Sequence, residues 1–195
     1  MMNKENINLG LWQTTKRTEV FVAEPWIRVF LQEVCLPDGK IIDDYYRIDL
    51  LDYVIIVART IDGKMVLGRQ YKQGVGKVSL LLPGGAIKDG ETPLLAAQRE
   101  FMEETGYEAE NWQSFGCFVC NANYGCGKAH LFLAKNAKRV AQPDSDDLED
   151  TEIVLMKPGD VINAVCGREM VAMGAVMAIA IALNPEFANK WGKYD

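Results

Sequence analysis

The sequence predicts an α/β (α+β) protein built as a sandwich of helices and a sheet. Strand-like apolar stretches fill the first part of the chain, and a well-delimited helix over 92–105 follows them. Further strands then lead to a long apolar helix near the end, an order typical of this fold class. The 195 residues, 49% of them apolar, are enough to bury a core without disulfide or metal crosslinks.

The first fifty residues predict a strand-rich segment. Residues 1–18 are polar and are expected to be irregular, whereas Val20 to Leu36 is strand-like, with Pro25 interrupting it. The residues Pro-Asp-Gly-Lys at 37–40 are typical of a turn, and Ile41 to Leu50 is strand-like again. Residues 26–50 are therefore predicted to form a hairpin.

The next residues predict the centre of a sheet. Residues 53–59 form a continuous apolar run, which is typical of a strand buried on both faces. A turn at 61–64 returns the chain as a strand over 64–71. After a glycine-containing loop, residues 79–82 form a short strand that ends at Pro83-Gly84-Gly85.

The helix over 92–105 has clear ends in the sequence. Thr92 can cap it, Pro93 suits the first helical position, and Gly106 ends it. Beyond it we predict two strands, over 112–120 and 128–135, followed by an acidic loop over 141–150. A third strand over 151–156 and a final helix over 158–183 follow this loop.

The composition disfavours several classes of protein. The 21 basic and 27 acidic residues give a net charge of −6, which argues against nucleic acid as a partner. Five cysteines, an odd number, argue against a secreted disulfide framework. The N-terminus lacks a signal-peptide pattern, and the apolar run over 170–183 is too short to span a bilayer. We therefore expect a cytoplasmic protein with no membrane partner.

The helix over 92–105 carries three carboxylates on one face. Glu100, Glu103 and Glu104 are spaced i, i+3, i+4 and so lie within about 100° of arc. Arg99 stands one turn before Glu103 and can pair with it. Carboxylates at this spacing repel one another unless solvent, arginine or a hard divalent cation stabilises them. A solvated acidic face and a metal site are the alternatives at this point.

The spacing around this helix resembles the Nudix box, Gly-x5-Glu-x7-Arg-Glu-U-x-Glu-Glu-x-Gly-U, in which U is a bulky apolar residue. Counted from Gly85, every fixed position matches, and Phe101 and Tyr107 occupy U positions where aliphatic residues are usual. So many specified positions make a chance match negligible. The resemblance implies a Nudix α/β/α sandwich with a mixed sheet, and hydrolysis of a nucleoside diphosphate linked to another group.

The resemblance also implies a role for each residue of the box. The implied Mg²⁺ ligands are the carbonyl group of Gly84 and the carboxylates of Glu100, Glu103 and Glu104. Mn²⁺ is expected to substitute for Mg²⁺, and Glu103 would alternatively hold a metal-bound water. Arg99 would orient the carboxylates, with Glu91 behind them. Mg²⁺ suits this set because it prefers carboxylates together with substrate phosphate oxygens.

Two further stretches are similar to the ADP-ribose and nucleoside-diphosphate-sugar pyrophosphatases within this family. Arg69-Gln70-Tyr71-Lys72 is close to their Arg-Gln-Tyr-Arg strand, and Leu82-Pro83-Gly84-Gly85 is close to their Leu-Pro-Ala-Gly turn. The resemblance implies cleavage of the pyrophosphate bond to a nucleoside monophosphate and a sugar phosphate. Arg69 and Gln70 are then candidates for holding phosphate or the terminal ribose.

The strands over 20–50 look like the N-terminal sheet that this branch exchanges between the subunits of a homodimer. The implied division is a dimerisation segment over 1–52 and a Nudix hydrolase domain over 53–195. Packing of these strands within one chain is the alternative. Trp26, Tyr45 and Tyr46 are candidates for stacking on a nucleobase, with core or dimer packing as the alternative role.

Two departures weaken the assignment to ADP-ribose in particular. Residues 120–125 contain no proline where the branch usually has a Ser-Pro-Gly-like loop, and Lys72 replaces an arginine. A nucleotide sugar as the substrate, or a preference for both kinds of substrate, therefore stays open as an alternative. So do a dinucleoside polyphosphate, NADH or capped RNA as substrate, and a sensor that binds a nucleotide derivative without turnover.

The acidic loop over 144–150 lies where this branch places a mobile loop that carries a general base. Asp147 and Glu149 are the nearest matches, with Glu152 behind them. An exposed acidic loop without a catalytic role is the alternative.

One other group of residues has a spacing typical of zinc ligands, namely Cys117, Cys120, Cys126 and His130. Residues three apart on a strand point to opposite faces, so Cys117 and Cys120 are not expected to share one ion. We interpret these thiols as buried or loop cysteines.

Overall fold

The computed structural model describes residues 10–144 and 150–190. The chain divides into two compact units. The first consists of Met1–Leu51 and Val119–Gly127, and the second of Asp52–Phe118 and Lys128–Asp195.

The first unit contains a three-stranded antiparallel sheet in the order β1-β2-β3. The strands are β1 Gln13–Ala23, β2 Ile27–Cys35 and β3 Ile41–Leu50. Phe30, Gln32 and Val34 of β2 are buried, because alternate side chains of a strand share one face. The predicted hairpin over 26–50 is confirmed by the pairing of β2 with β3.

One prediction for this segment is wrong, since β1 begins at Gln13 among residues expected to be irregular. Its side chains are exposed along almost its whole length. Its sequence therefore lacks the apolar alternation that predicts a half-buried strand. The strand forms because pairing with β2 satisfies its backbone N–H and C=O groups.

The second unit contains a mixed sheet in the order β6-β5-β4-β8-β7, in which β9 pairs with β5. Its strands are β4 Tyr53–Thr60, β5 Met65–Lys72, β6 Lys77–Leu81, β7 Tyr107–Asn121, β8 Cys126–Arg139 and β9 Glu152–Met156. β4 and β8 run parallel, and the pairings of β5 are antiparallel. β4 is the buried central strand that its apolar run predicts.

Helices cover both faces of this sheet. They are α1 Pro93–Thr105, α2 Pro158–Cys166 and α3 Met173–Leu183, followed by α4 Pro185–Lys190. Phe101 of α1 packs in one cluster with Val54, and Ile179 of α3 packs in another with Ile55. Neighbouring residues of β4 therefore serve opposite faces, and the predicted sandwich is confirmed.

The final helix, predicted over 158–183, is in fact two helices, α2 and α3. The link between them is tied to β6 by Ser79, whose side chain is 1% exposed. Its Oγ donates to the carbonyl of Glu169 at 3.1 Å and accepts from the N–H of Val171 at 3.3 Å. These bonds hold the link against the sheet, and α3 begins two residues beyond Val171. No helix in the described part of the chain is long and apolar enough to cross a membrane.

Candidate functional site

Helix α1 presents its charged residues from a firmly defined position. Thr92 caps it by accepting from the N–H of Leu95 at 3.3 Å, and Pro93 begins it. Gly106 ends it with a φ of 71°, which a glycine adopts without strain. Both ends lie where the sequence predicts them. Because the apolar face of α1 packs on the sheet, the carboxylates are held on the remaining surface.

Arg99 is the residue on which the carboxylates converge. It donates two hydrogen bonds of 2.8 Å to the two oxygens of Glu91. Its Nη1 donates to Glu100 at 2.6 Å and to Glu103 at 3.0 Å, and its Nη2 donates to the carbonyl of Ala86 at 3.0 Å. The sequence predicts only the pair with Glu103. The guanidinium therefore fixes three carboxylates relative to one another.

The ionisation of these groups follows from their partners. The hydrogen bonds from Arg99 lower the pKa of Glu91 to about 2, so this carboxylate is charged at neutral pH. Burial raises the pKa of Glu100, against the opposing effect of Arg99. A half-buried carboxylate of this kind gains stability from any further cation that approaches it.

Glu100 and Glu104 both lie against the turn at Gly84-Gly85. The N–H of Gly84 donates to Oε2 of Glu104 at 2.9 Å. A Cβ on Gly85 would lie 2.5 Å from the carboxylate of Glu100, and a Cβ on Gly84 would lie 2.0 Å from the carbonyl oxygen of Val54. Two glycines are thus required where the turn passes between β4 and α1.

The donor set suits a hard divalent cation in its chemistry. It consists of carboxylate oxygens of Glu100, Glu103 and Glu104 beside backbone groups of the glycine turn. Among the described residues, no three Asp, Glu, Cys or His side chains already converge as a metal site, because Glu100 and Glu103 point at Arg99. A bound cation would therefore share these two carboxylates with Arg99.

A cavity of about 190 Å³ opens beside Glu104 and Gly84. Gly68, Gln70 and Lys72 line it from β5, at alternate positions and hence on one face of the strand. Gln70 is only 4% exposed. Sequence reasoning selected Gln70 but left Lys72 aside, although period-two alternation along the strand is the signal that groups them.

Other predicted residues lie away from this cavity lining. Arg69 is exposed on β5 and forms an ion pair of 3.2 Å with Glu152 of the neighbouring strand β9. Trp26 and Tyr46 belong to the first unit and are 68% and 48% exposed. Tyr45, also in the first unit, donates from its hydroxyl to the carbonyl of Asn123.

The predicted general bases, Asp147 and Glu149, lie outside the described residues. The residues on either side, 10–144 and 150–190, are described by the structure. The N–H of Asp144 donates to the carbonyl of Glu103 at 2.8 Å, and Thr151 lines the cavity. Asp144 is therefore held at α1, and Thr151 lies at the cavity.

Replacing Arg99 with lysine is expected to lower kcat by about 10–100-fold if Arg99 has its predicted role of orienting metal ligands. Lysine keeps the charge, but one ammonium group cannot hold Glu91 through two bonds and still reach Glu100 and Glu103. Steady-state kinetics measure the change. Arg28→Lys, at an exposed pair with Glu19, is the matched control, and equal activity of the two variants would contradict the role of Arg99.

Comparison with known proteins identifies a family and relatives of this chain. A profile described as NUDIX domain matches residues 50–171. The ADP-ribose pyrophosphatase of Bacillus subtilis (strain 168) is 25% identical over 162 residues, 81% of this chain and 85% of that protein. A methanol dehydrogenase activator of Bacillus methanolicus is 27% identical over 144 residues, 71% of this chain and 76% of that protein.

The fold also has a counterpart among solved structures. The crystal structure of an ADP compounds hydrolase aligns with a TM-score of 0.77 over 88% of this chain and 91% of that chain. The two sequences are 20% identical, so this likeness concerns the fold.

Proposed function

This chain belongs to the NUDIX family and is a pyrophosphatase of that family, and we propose that its substrate is ADP-ribose or a nucleoside diphosphate sugar. The products are a nucleoside monophosphate and a sugar phosphate. The observation that carries the proposal is the set of carboxylates on α1, gathered by Arg99 beside a glycine turn and next to a cavity that Gln70 and Lys72 line. The named relative from Bacillus subtilis supports the substrate class.

The cofactor in this proposal is Mg²⁺, with Mn²⁺ as a substitute. When bound, the ion supplies positive charge that neutralises the pyrophosphate and stabilises the leaving phosphate. Glu100 and Glu104, with the carbonyl of Gly84, would hold the ion, and Glu103 would be a third ligand or would hold a metal-bound water. Arg99 keeps the carboxylates in register, and Glu91 in turn fixes the guanidinium.

The proposal assigns substrate contacts to five residues. In the second unit, Gln70 and Lys72 line the cavity and suit phosphate or sugar hydroxyl groups. Arg69 keeps a predicted role in phosphate binding, which requires it to leave its exposed pair with Glu152. Trp26 and Tyr46 of the first unit keep the predicted role of stacking on the base, and their exposed rings support it.

The test of this function is hydrolysis across a substrate panel. Phosphate release after coupling to a phosphatase is measured with Mg²⁺ on ADP-ribose, ADP-glucose, UDP-glucose, GDP-mannose, a diadenosine polyphosphate and NADH. Selective turnover of ADP-ribose or of a nucleotide sugar supports the proposal. Preference for the polyphosphate or for NADH would contradict it, and tight binding without any turnover would indicate a sensor.

The acidic loop is proposed to supply the general base. The double variant Asp147→Ala/Glu149→Ala is expected to lower kcat by about 10²–10⁴-fold, the usual contribution of a positioned base. Asp144→Ala/Asp150→Ala removes equal charge from the flanks of the same loop and serves as the control. If the first pair left kcat unchanged, the base would have to lie elsewhere, such as at Glu103.

A homodimer formed through the first unit is part of the same proposal. Its sheet exposes large apolar side chains, among them Val20, Phe21 and Val22 at 43–54% of their surface. Phe21→Glu is expected to convert the dimer to a monomer in sedimentation velocity, because a carboxylate cannot be buried unpaired in an interface. Val75→Glu, in an exposed loop of the second unit, is the control. A native monomer at all concentrations would contradict the dimer.

The cytoplasm is the proposed location. The odd number of cysteines, five, argues against a secreted disulfide framework and supports a reducing compartment.

A further inference from the structure

The wall of the cavity contains a glycine at a point where a side chain would intrude. Gly174 is the second residue of α3 and lines the cavity together with Tyr53 and Ile55. A Cβ on Gly174 would lie 2.9 Å from Cδ1 of Ile55 and 3.6 Å from the hydroxyl oxygen of Tyr53. Because Ile55 also lines the cavity, a methyl group at Gly174 would change the cavity wall at this point.

The backbone does not require glycine at this position. Gly174 is not among the glycines with positive φ, so alanine can adopt its conformation. Within a helix, alanine is also the more favourable residue by propensity. The glycine at position 174 is thus explained by its close approach to Ile55 in the cavity wall and not by a turn.

The remaining lining indicates which half of the substrate needs that space. The cavity is bounded at one wall by Glu104, a proposed metal ligand, so its contents lie next to the scissile pyrophosphate. Most of the lining is apolar, and within it Gln70 and Lys72 offer an amide and a cation, which suit hydroxyl groups and a phosphate. Tyr53 is the one aromatic side chain among the described lining residues. The cavity therefore offers little aromatic surface on which a nucleobase could stack.

We propose that the cavity receives the sugar phosphate half of the substrate and that Gly174 is a specificity-determining residue, whose missing side chain admits a hexose as well as a pentose. This inference rests on the proposed function. Ser79 supports the arrangement, because it ties the link before α3 to β6 and so holds Gly174 at the cavity.

The test separates the sugar from the base. Relative kcat/KM values are measured for ADP-ribose, ADP-glucose and UDP-glucose in the native protein and in Gly174→Ala. The ratio of ADP-glucose to ADP-ribose is expected to fall about tenfold or more, the usual effect of one carbon in a fitted pocket. The ratio of ADP-glucose to UDP-glucose, which differ only in the base, is expected to stay unchanged.

Two further variants serve as controls. One tests whether a substitution of this kind affects folding, and the other tests whether contact with Ile55 is the reason why the hexose is excluded. Gly159→Ala changes the second residue of α2, where a Cβ would meet no atom within 4 Å, and is expected to keep both ratios. Adding Ile55→Val to Gly174→Ala removes the Cδ1 that the new Cβ would meet, and is expected to restore part of the hexose turnover. An unchanged sugar ratio in Gly174→Ala, or a change confined to the base ratio, would overturn the inference.

Failure of the proposed function would be recognised separately. If the native protein turns over none of the three substrates, calorimetry measures the Kd of ribose 5-phosphate and of glucose 1-phosphate with native protein and with Gly174→Ala. A loss of affinity in the variant that is about tenfold greater for glucose 1-phosphate retains the inference about the cavity. Equal affinities in both proteins, or no binding of either compound, would overturn it.

Discussion

Replacing Glu104 with glutamine is expected to lower kcat/KM for the preferred substrate by about a thousandfold. A metal ion contributes several kcal/mol of transition-state stabilisation, and each 1.36 kcal/mol corresponds to a factor of ten in rate. Glutamine lacks the negative charge that holds a cation, but its amide oxygen can still accept from the N–H of Gly84. Steady-state kinetics over a range of Mg²⁺ concentrations measure the loss.

The matched control for this prediction is Glu108→Gln. Glu108 is an exposed carboxylate near the start of β7, just beyond α1, so its loss changes the net charge equally. The Glu108→Gln variant should retain native activity. Both Glu108→Gln and Glu104→Gln should unfold at the native denaturant midpoint. Native activity in Glu104→Gln would show that this carboxylate does not hold the catalytic ion.

Gly106→Ala is expected to destabilise the protein by about 2–5 kcal/mol. A left-handed conformation costs a residue with a Cβ about 1–2 kcal/mol. At Gly106 the new Cβ would also lie 2.3 Å from the carbonyl oxygen of Ala141. Because that neighbour is backbone, relief requires the chain at Ala141 to move, which adds about 1–3 kcal/mol of overpacking. Urea unfolding measures the sum.

Gly63→Ala separates the two contributions to this loss. Gly63 has a φ of 80° and lies in the turn between β4 and β5, with no atom within 4 Å of its Cβ position. It should therefore lose only the conformational cost of about 1–2 kcal/mol. Equal losses in the two variants would mean that the contact with Ala141 is relieved at no cost.

The features predicted best from the sequence are those encoded locally. Helix α1 carries its own start and stop in Thr92, Pro93 and Gly106, and its carboxylates are placed by helical spacing alone. β4 is likewise recognisable, since burial on both faces requires an unbroken apolar run. These local features were sufficient to recognise the sandwich and the family.

The features missed by sequence reasoning depend on contacts between distant residues. β1 has no apolar alternation of its own and exists through its pairing with β2. The break between α2 and α3 depends on Ser79, far away in the sequence. Lys72 was noted only as a departure from a motif, because its place in the cavity depends on which face of β5 turns inward.

The contacts of Arg99 have a consequence for how this site can change during evolution. One guanidinium serves Glu91, Glu100 and Glu103 together, so a substitution at any of the four residues alters the surroundings of the other three. Effects of such substitutions are not additive. The four positions are therefore expected to be epistatic: the fitness cost of changing one depends on which residues occupy the other three. Divergence of substrate preference is less constrained at Gly174 and Lys72, which are not among the contacts of Arg99.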